Sequence, residues 1–219
     1  MQRRRYNSAE SELYHAGGPV ESLFVVRRGA IKTRRLSADG VERIDGLALP
    51  GELVGADALD MTSHPKTALC AVARTEVCEI PFHLLETLSS ELPTLRHELL
   101  SQLSQNLFRA QEMQRLLASR SAEPRVAQFL LELYHRWGAG GPDTERTMAL
   151  PLRRQEIAGH LGIATETLSR TIHGFQERGW LAVRGRLVTL KREASLRELA
   201  EDSAAQTGAA RPRARQSVH

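Results

Sequence analysis

Two hydrophobic rhythms divide the chain. Up to about residue 82 the apolar residues come in short runs separated by glycine and turn residues, the mark of strands. Leu23–Val26 reads as a strand, turned by Arg27, Arg28 and Gly29. Ala30–Leu36 reads as the next, ended by Ser37-Ala38-Asp39-Gly40, and Val41–Leu49 follows, closed by Pro50-Gly51. Thr67–Ala73 and Glu76–Phe82 predict a further hairpin turning at Arg74-Thr75. Evenly spaced short strands with glycine at the corners predict a β-barrel or jelly roll.

Pro93 opens a helical regime. From Thr94 to Ser119 there is neither glycine nor proline, and Leu99, Leu103, Asn106, Ala110, Met113 and Leu117 repeat in steps of four and three, flanked by Leu100 and Leu107. A helix of that length runs about 38 Å. It needs a partner along its seam, and a parallel homodimer supplies one, with Asn106 fixing register. Packing of the helix on its own barrel is the alternative. Ser121-Ala122-Glu123-Pro124 predicts a hinge and helix start. Arg125–Trp137 then buries Val126, Phe129, Leu130, Leu133 and Trp137, Gly138–Pro142 makes a loop, and Thr147–Leu152 a short strand.

The stretch Arg153–Arg178 predicts two short helices and a tight turn. Ile157, Ala158 and Leu161 form the apolar face of the first, and Gly162 ends it as a residue free to take positive φ. Ile163 plugs the turn, Thr165 is the candidate N-cap, and Leu168, Ile172 and Phe175 form the apolar face of the second helix. Glu166, Ser169 and Arg170 lie on its polar side. Two β-runs follow about Arg184-Gly185-Arg186, a hairpin wing. A winged helix-turn-helix points to double-stranded DNA. Candidate phosphate contacts, which position without reading sequence, are Arg153, Thr165, His173, Arg184 and Arg186.

These boundaries make an α+β protein: a β-barrel over 1–92, a dimerisation helix over 93–120, a winged helix-turn-helix over 121–200 and a disordered tail over 201–219. Arg192–Leu199 is expected to add a helical turn or two. The tail is expected to be solvated, and contact of its Arg211, Arg213 and Arg215 with DNA phosphates is the alternative. Composition adds little to this picture. Of 219 residues 41% are hydrophobic and 26% charged, and the net charge of +4 is a mild hint of a polyanionic partner. No apolar stretch approaches the roughly 20 residues of a membrane helix. No secretory leader follows Met1-Gln2-Arg3-Arg4-Arg5, and two cysteines are too few for a disulfide scaffold, so a reducing bacterial-type cytoplasm is expected. No nucleophile–base set, phosphate loop or paired acid site stands out, which argues against an enzyme.

The order barrel, long helix, winged helix-turn-helix resembles the Crp/Fnr superfamily of bacterial transcription regulators, and most of all its fumarate–nitrate regulator branch. The carrying residues are Leu13–Gly17, Gly29–Lys32, Gly51–Gly55, Val77–Phe82 and Thr165–Arg170. The resemblance implies a cyclic-nucleotide-binding-like N-terminal domain and a homodimer. It also implies contact with RNA polymerase through barrel loops such as Ser37–Val41. Glu166, Ser169 and Arg170 match the branch's base-reading set, and the resemblance implies a palindromic TTGAT-type site and control of anaerobic or redox-responsive genes. Side-chain chemistry agrees, since Arg pairs bidentately with guanine and a carboxylate accepts from cytosine N4. At i and i+4, Glu166 and Arg170 are also spaced to orient each other.

The resemblance leaves the signal open. Aligned through Gly51 and Gly55, the cyclic-nucleotide members' carboxylate and arginine positions hold Ala56 and Lys66, with Thr67 keeping the hydroxyl and Glu52 and Asp57 close by; cyclic nucleotide is not expected. The oxygen-sensing members hold an iron–sulfur cluster on four cysteines. Cys78 matches the barrel ligand, but the N-terminal cysteine segment would have to lie upstream of Met1, so a cluster is not expected on this sequence. Cys70 and Cys78 are expected on opposite faces of their hairpin, which disfavours a disulfide, and His64 and His83 make no zinc spacing. Haem, a nucleotide or thiol oxidation remain as alternative signals. Ala110 stands where the oxygen-sensing branch carries an acidic residue, which implies a dimer without that repulsion.

Overall fold

The structure, a computed structural model, describes residues 2–37, 40, 42–59, 64–117, 121–137 and 147–208. The N-terminal strands are β1 (Gln2–Tyr6), β2 (Glu12–Tyr14), β3 (Ser22–Arg28), β4 (Ile31–Leu36), β5 (Glu42–Ala48), β6 (Leu53–Val54), β7 (Thr67–Cys70) and β8 (Thr75–Pro81). They form two four-stranded antiparallel sheets, ordered β1-β8-β3-β6 and β2-β7-β4-β5. The sheets face each other across Phe24, Val26 and Val77 from one and Tyr14, Ile31, Ala68 and Cys70 from the other. The jelly-roll alternative holds, and the closed barrel does not.

One predicted hairpin is overturned. β7 and β8 lie in different sheets, and the chain between them crosses from one to the other. Arg74 takes φ 56° there, and Thr75 Oγ1 donates to the Val72 carbonyl at 2.7 Å. A corner and a hairpin share the same local turn signal; only burial of both flanking strands on separate sheets tells them apart. Cys70 therefore sits opposite Ile31, and Cys78 opposite Val25 and Arg3.

Gly29 is required where the chain turns from β3 into β4. Its φ is +83°, and a Cβ would stand 2.4 Å from Thr75 Oγ1 and 2.9 Å from Thr75 Cα. The next turn, Leu49-Pro50-Gly51-Glu52, has proline second, glycine third with φ +89°, and the Glu52 N–H donating to the Leu49 carbonyl at 3.0 Å. That is the residue pattern of a type II turn, and it aims the Glu52 side chain inward. β1 has no apolar alternation. It holds the sheet edge through the ladder and through Arg3 to Glu76 and Arg4 to Glu79, the latter at 2.5 Å.

Helices α1 (Phe82–Glu91) and α2 (Pro93–Leu117) follow, then α3 (Ala122–Trp137). The C-terminal part holds β9 (Thr147–Ala149), α4 (Arg154–His160), α5 (Thr165–Glu177), β10 (Leu181–Arg184), β11 (Leu187–Leu190) and α6 (Glu193–Gly208). One core runs without a break from Ala30, Leu49 and Ala71 of the jelly roll through Phe129 and Leu133 of α3 to Leu168, Phe175 and Val188. α6 is longer than expected and enters the stretch assigned to the tail; Leu196 and Ala200 bury it against the C-terminal core. The loop predicted over 138–142 and the tail arginines 211, 213 and 215 lie outside the described residues.

Candidate nucleic-acid interface

The turn between α4 and α5 is built by its backbone. Gly162 has φ +62°; its N–H donates to the Gly159 carbonyl at 3.2 Å, and Ile163 N–H to the Ala158 carbonyl at 3.0 Å. These are the two bonds of a Schellman motif, with half-buried Ile163 packed on the core as its apolar contact. Ala158 is buried at the crossing, small enough to let α5 come close. The N-cap of α5 is Ala164 rather than Thr165, and no side chain caps the helix. Thr165 is the first helical residue, so its N–H points out of the helix start, where an anion is favoured.

Leu168, Thr171, Ile172 and Phe175 bury one face of α5. This leaves Glu166, Arg170 and His173 exposed and Ser169 half-exposed on the other. No ion pair joins Glu166 to Arg170 among the described residues; Arg170 leans on Thr167 Oγ1 at 3.4 Å. His173 Nε2 lies 3.4 Å from Glu177 Oε1. A second Schellman motif ends α5: Gly179 N–H donates to the Gln176 carbonyl and Trp180 N–H to the Phe175 carbonyl, each at 2.9 Å. The Phe175 and Trp180 rings stack with centroids 5.5 Å apart, and the Arg178 guanidinium covers both and pairs with Glu123 at the start of α3.

The wing has three strands, β9 pairing with β11 beside the predicted hairpin. Gly185, with φ +62°, makes the tight turn. The two wing arginines differ. Arg186 donates from Nε to the Leu150 carbonyl at 3.0 Å and from Nη2 to the Pro151 carbonyl at 2.8 Å, bracing the wing against the approach to α4. Arg184 is exposed and makes no ion pair among the described residues. Arg153 heads α4, exposed, with a nitrogen 3.7 Å from Glu10.

The chain is 37% identical over 199 residues to the anaerobic regulatory protein of Pasteurella multocida, covering 91% of this chain and 72% of that one. A Crp-like helix-turn-helix domain model matches residues 124–199, and a cyclic nucleotide-binding domain model residues 4–91. The chain belongs to the Crp/Fnr superfamily of transcription regulators. Another relative of this Crp/Fnr regulator is the transcriptional activator protein anr of Pseudomonas aeruginosa, 40% identical over 176 residues, 80% of this chain and 71% of that one. The structure of FixK2 from Bradyrhizobium japonicum superposes with a TM-score of 0.78 at 29% identity, covering 90% of this chain and 96% of that one. Regulators of this family bind DNA and typically act as dimers.

On α2 of this Crp/Fnr protein an exposed apolar stripe overlaps the predicted seam. Leu99, Asn106 and Met113 are half-buried; Leu103, Asn106, Ala110, Met113 and Leu117 all border a cavity beneath the jelly roll, and Met113 packs on the core. Leu100 is 59% exposed, Leu103 43% and Leu107 61%, and Ala110 is exposed with them. Residues 100, 103, 107 and 110 repeat in steps of three and four, so they present one stripe. Leu103, Ala110 and Leu117 of the predicted set are exposed, and Leu100 and Leu107, which flank that set in the sequence, are exposed beside them.

The cavity, about 630 Å³, lies between β5, the Glu52–Asp57 segment, α2 and α3. Ala56 and Lys66 both line it. Burial opposes charge on Lys66, but its bonds to Asp57 at 2.7 Å and Asp45 at 2.9 Å outweigh this and raise its pKa. Burial pushes the Asp57 carboxyl up, and the Lys66 bond overrides that and lowers it. A phosphate at Lys66 would have to displace two carboxylates. No group of three or more His, Cys, Asp or Glu is placed to hold a metal ion among the described residues. Cys70 and Cys78 are buried on separate sheets, a donor set that does not fit a four-cysteine cluster. No helix among the described residues is long and apolar enough to cross a membrane.

Sequence reasoning missed the residues that hold this domain in place. Arg125 donates to the Leu117, Leu161 and Gly162 carbonyls, and Arg136 to Glu52 and the Leu47 carbonyl. Lys32, buried in β4, pairs with Glu156 of α4 and with Glu10. Their only trace in the sequence is an arginine at each end of the apolar face of α3 and a lysine inside a strand.

Proposed function

We propose that this regulator binds a palindromic TTGAT-type DNA site as a homodimer and controls anaerobic or redox-responsive genes from the cytoplasm. The observation that carries the reading is the grouping of Glu166, Ser169 and Arg170 on the solvent face of α5, beside its N-terminus, with no side chain of the described residues laid across them. Arg170 reads guanine, Glu166 accepts from cytosine, and Ser169 leaves room for thymine methyls. Thr165, His173, Arg153 and Arg184 hold phosphates; Arg186 contributes chiefly by fixing the wing. The Leu100, Leu103, Leu107 and Ala110 stripe supplies the dimer seam. The names of the relatives, anaerobic and fumarate–nitrate regulators, support the gene class. Contact with RNA polymerase follows the family resemblance. Selection of bound duplexes from a random pool, with and without oxygen, tests the reading. Enrichment of a TTGAT-type palindrome is expected, and an unrelated or single half-site would overturn it.

A second reading, a sensing domain whose ligand is haem, a nucleotide or an oxidant of thiols, draws on the cavity beside α2. The ion pairs of Lys66 and the methyl side chain of Ala56 count against a cyclic nucleotide there. Absorbance spectra and mass spectrometry of the purified protein test for a bound group.

A further inference from the structure

Glu52 is 8% exposed, at the end of the Leu49–Glu52 turn, and three parts of the molecule converge on it. From the jelly roll, the Leu49 N–H donates to its Oε2 at 3.0 Å. From α2, Arg109 Nη1 donates to Oε1 at 2.8 Å. From α3, Arg136 donates as a fork, Nε to Oε1 at 2.9 Å and Nη2 to Oε2 at 2.7 Å. Arg136 Nη2 also reaches the Leu47 carbonyl at 2.6 Å, and Nη1 reaches Glu132 Oε1 at 3.0 Å. Two parallel bonds between planar groups set angle as well as distance. The fork therefore fixes how α3, which carries the recognition domain, is rotated against the jelly roll. Arg109 fixes the same carboxylate to the helix that bears the dimer stripe.

We propose that Glu52 is a positioning residue for DNA binding: its carboxylate joins the jelly roll, the dimer helix and the recognition domain, and so sets the separation of the two recognition helices in the dimer. Two further contacts seat the recognition domain on the same side. His160 Nδ1 lies 3.2 Å from the Ile44 carbonyl, and Lys32 pairs with Glu156. The docking does not mask the DNA face, since Glu166 and Arg170 are exposed while α4 is seated. It sets direction. The three side chains of the node line the cavity, so the chain's own carboxylate makes, inside the cavity, a link between domains that needs no bound molecule.

A dimer reads a palindrome only when its recognition helices match the half-site separation of about 34 Å, and one inserted base pair shifts a half-site by about 3.4 Å and rotates it by about 35°. The inference rests on the palindrome of the proposed function, so the palindrome is first established by selection with the unaltered protein; its absence would sink that reading and not this one. The full-length Glu52→Gln dimer is then titrated with the selected palindrome, with the same site carrying one inserted base pair, and with a random duplex. Affinity for the correctly spaced site is expected to fall tenfold or more. The preference over the inserted site is expected to flatten, with random-duplex affinity unchanged. An unchanged spacing preference, whether affinity is retained or falls equally on all three duplexes, overturns the proposal. If Glu52→Gln does not fold by circular dichroism, Arg136→Lys, which keeps the charge and loses the fork, and Arg109→Gln are read by the same three duplexes. Wild-type spacing preference in both overturns the proposal, and a flattened preference in either supports it.

Discussion

The Arg125 guanidinium joins the Leu117 carbonyl at the end of the long helix to the turn of the helix-turn-helix. Nη2 reaches Leu117 O at 3.1 Å, while Nη1 reaches Leu161 O at 3.1 Å and Gly162 O at 3.4 Å. The carbonyls at a helix C-terminus lack intrahelical partners, and a cation is the group that suits them. Arg125→Ala removes three charge-assisted bonds to backbone. Urea denaturation is expected to show a loss of about 2–3 kcal/mol, at the upper end for bonds to a charged group. A loss within experimental error would show that water replaces the guanidinium at no cost.

The readers and the phosphate contacts should separate by titration. Arg170→Ala is expected to weaken the specific site by about 1–3 kcal/mol and to relax selectivity at one base, with random duplex bound as before. Arg184→Ala should weaken both alike and reduce the slope of log affinity against log salt by about 1. Equal loss on specific and random DNA for Arg170→Ala would remove it from the reading set.

Leu107→Asp places a charge on the exposed stripe of α2, where Leu107 is 61% exposed in the single chain. Sedimentation velocity at micromolar concentration should show a dimer for the unaltered protein, without added ligand, and a monomer for the variant. Far-ultraviolet circular dichroism should not change, because the side chain has little buried contact to lose. A dimeric Leu107→Asp protein would move the seam elsewhere.

Acid should destabilise the protein in two windows. Burial lowers the pKa of His160 from its ordinary 6.5 and keeps the ring neutral on the Ile44 carbonyl. The unfolded chain then binds a proton that the folded one does not, so stability is complete above about pH 6.5 and falls as pH drops below it, by up to about 1.4 kcal/mol per unit for one proton. Burial opposes charge on Glu156, but the bonds from Lys32 and from the Arg153 N–H, the latter at 2.6 Å, lower its pKa below 4.5. Its contribution is present above that value and is lost as pH falls further. His160→Asn should flatten urea midpoints between pH 6.5 and 5 and leave the second window in place.

Cys70 is buried, and burial pushes its thiol up to about 11, with the Thr75 hydroxyl partly offsetting. At pH 7.5 little thiolate is present and access is poor, so maleimide should modify it only as fast as the protein unfolds. Cys78 stands on the other sheet, so mild oxidation should give no Cys70–Cys78 crosslink by mass spectrometry.

Much of the architecture was legible because it rests on local chemistry. Gly162 and Gly185 sit where the backbone needs positive φ, and the apolar face Leu168, Ile172 and Phe175 is the one buried. The exposed side that bears Glu166, Ser169 and Arg170 follows by exclusion, since a helix with one face in the core offers its other face to solvent. Local chemistry misled at Thr165, a good capping residue displaced by Ala164. It misled again at Arg74-Thr75, where a turn signal reads the same in a hairpin and in a corner between sheets.

The sequence by itself determined the succession of strands, long helix and winged helix-turn-helix, because hydrophobic period, turn residues and helix ends are properties of neighbours along the chain. Only the tertiary structure decided which wing arginine is spent on carbonyls, and that Glu52 meets Arg109 and Arg136. The meeting at Glu52 depends on charges finding partners 57 and 84 residues away. An unpaired charge in the core is costly enough to select the pairing, and a sequence pattern carries no record of that distance.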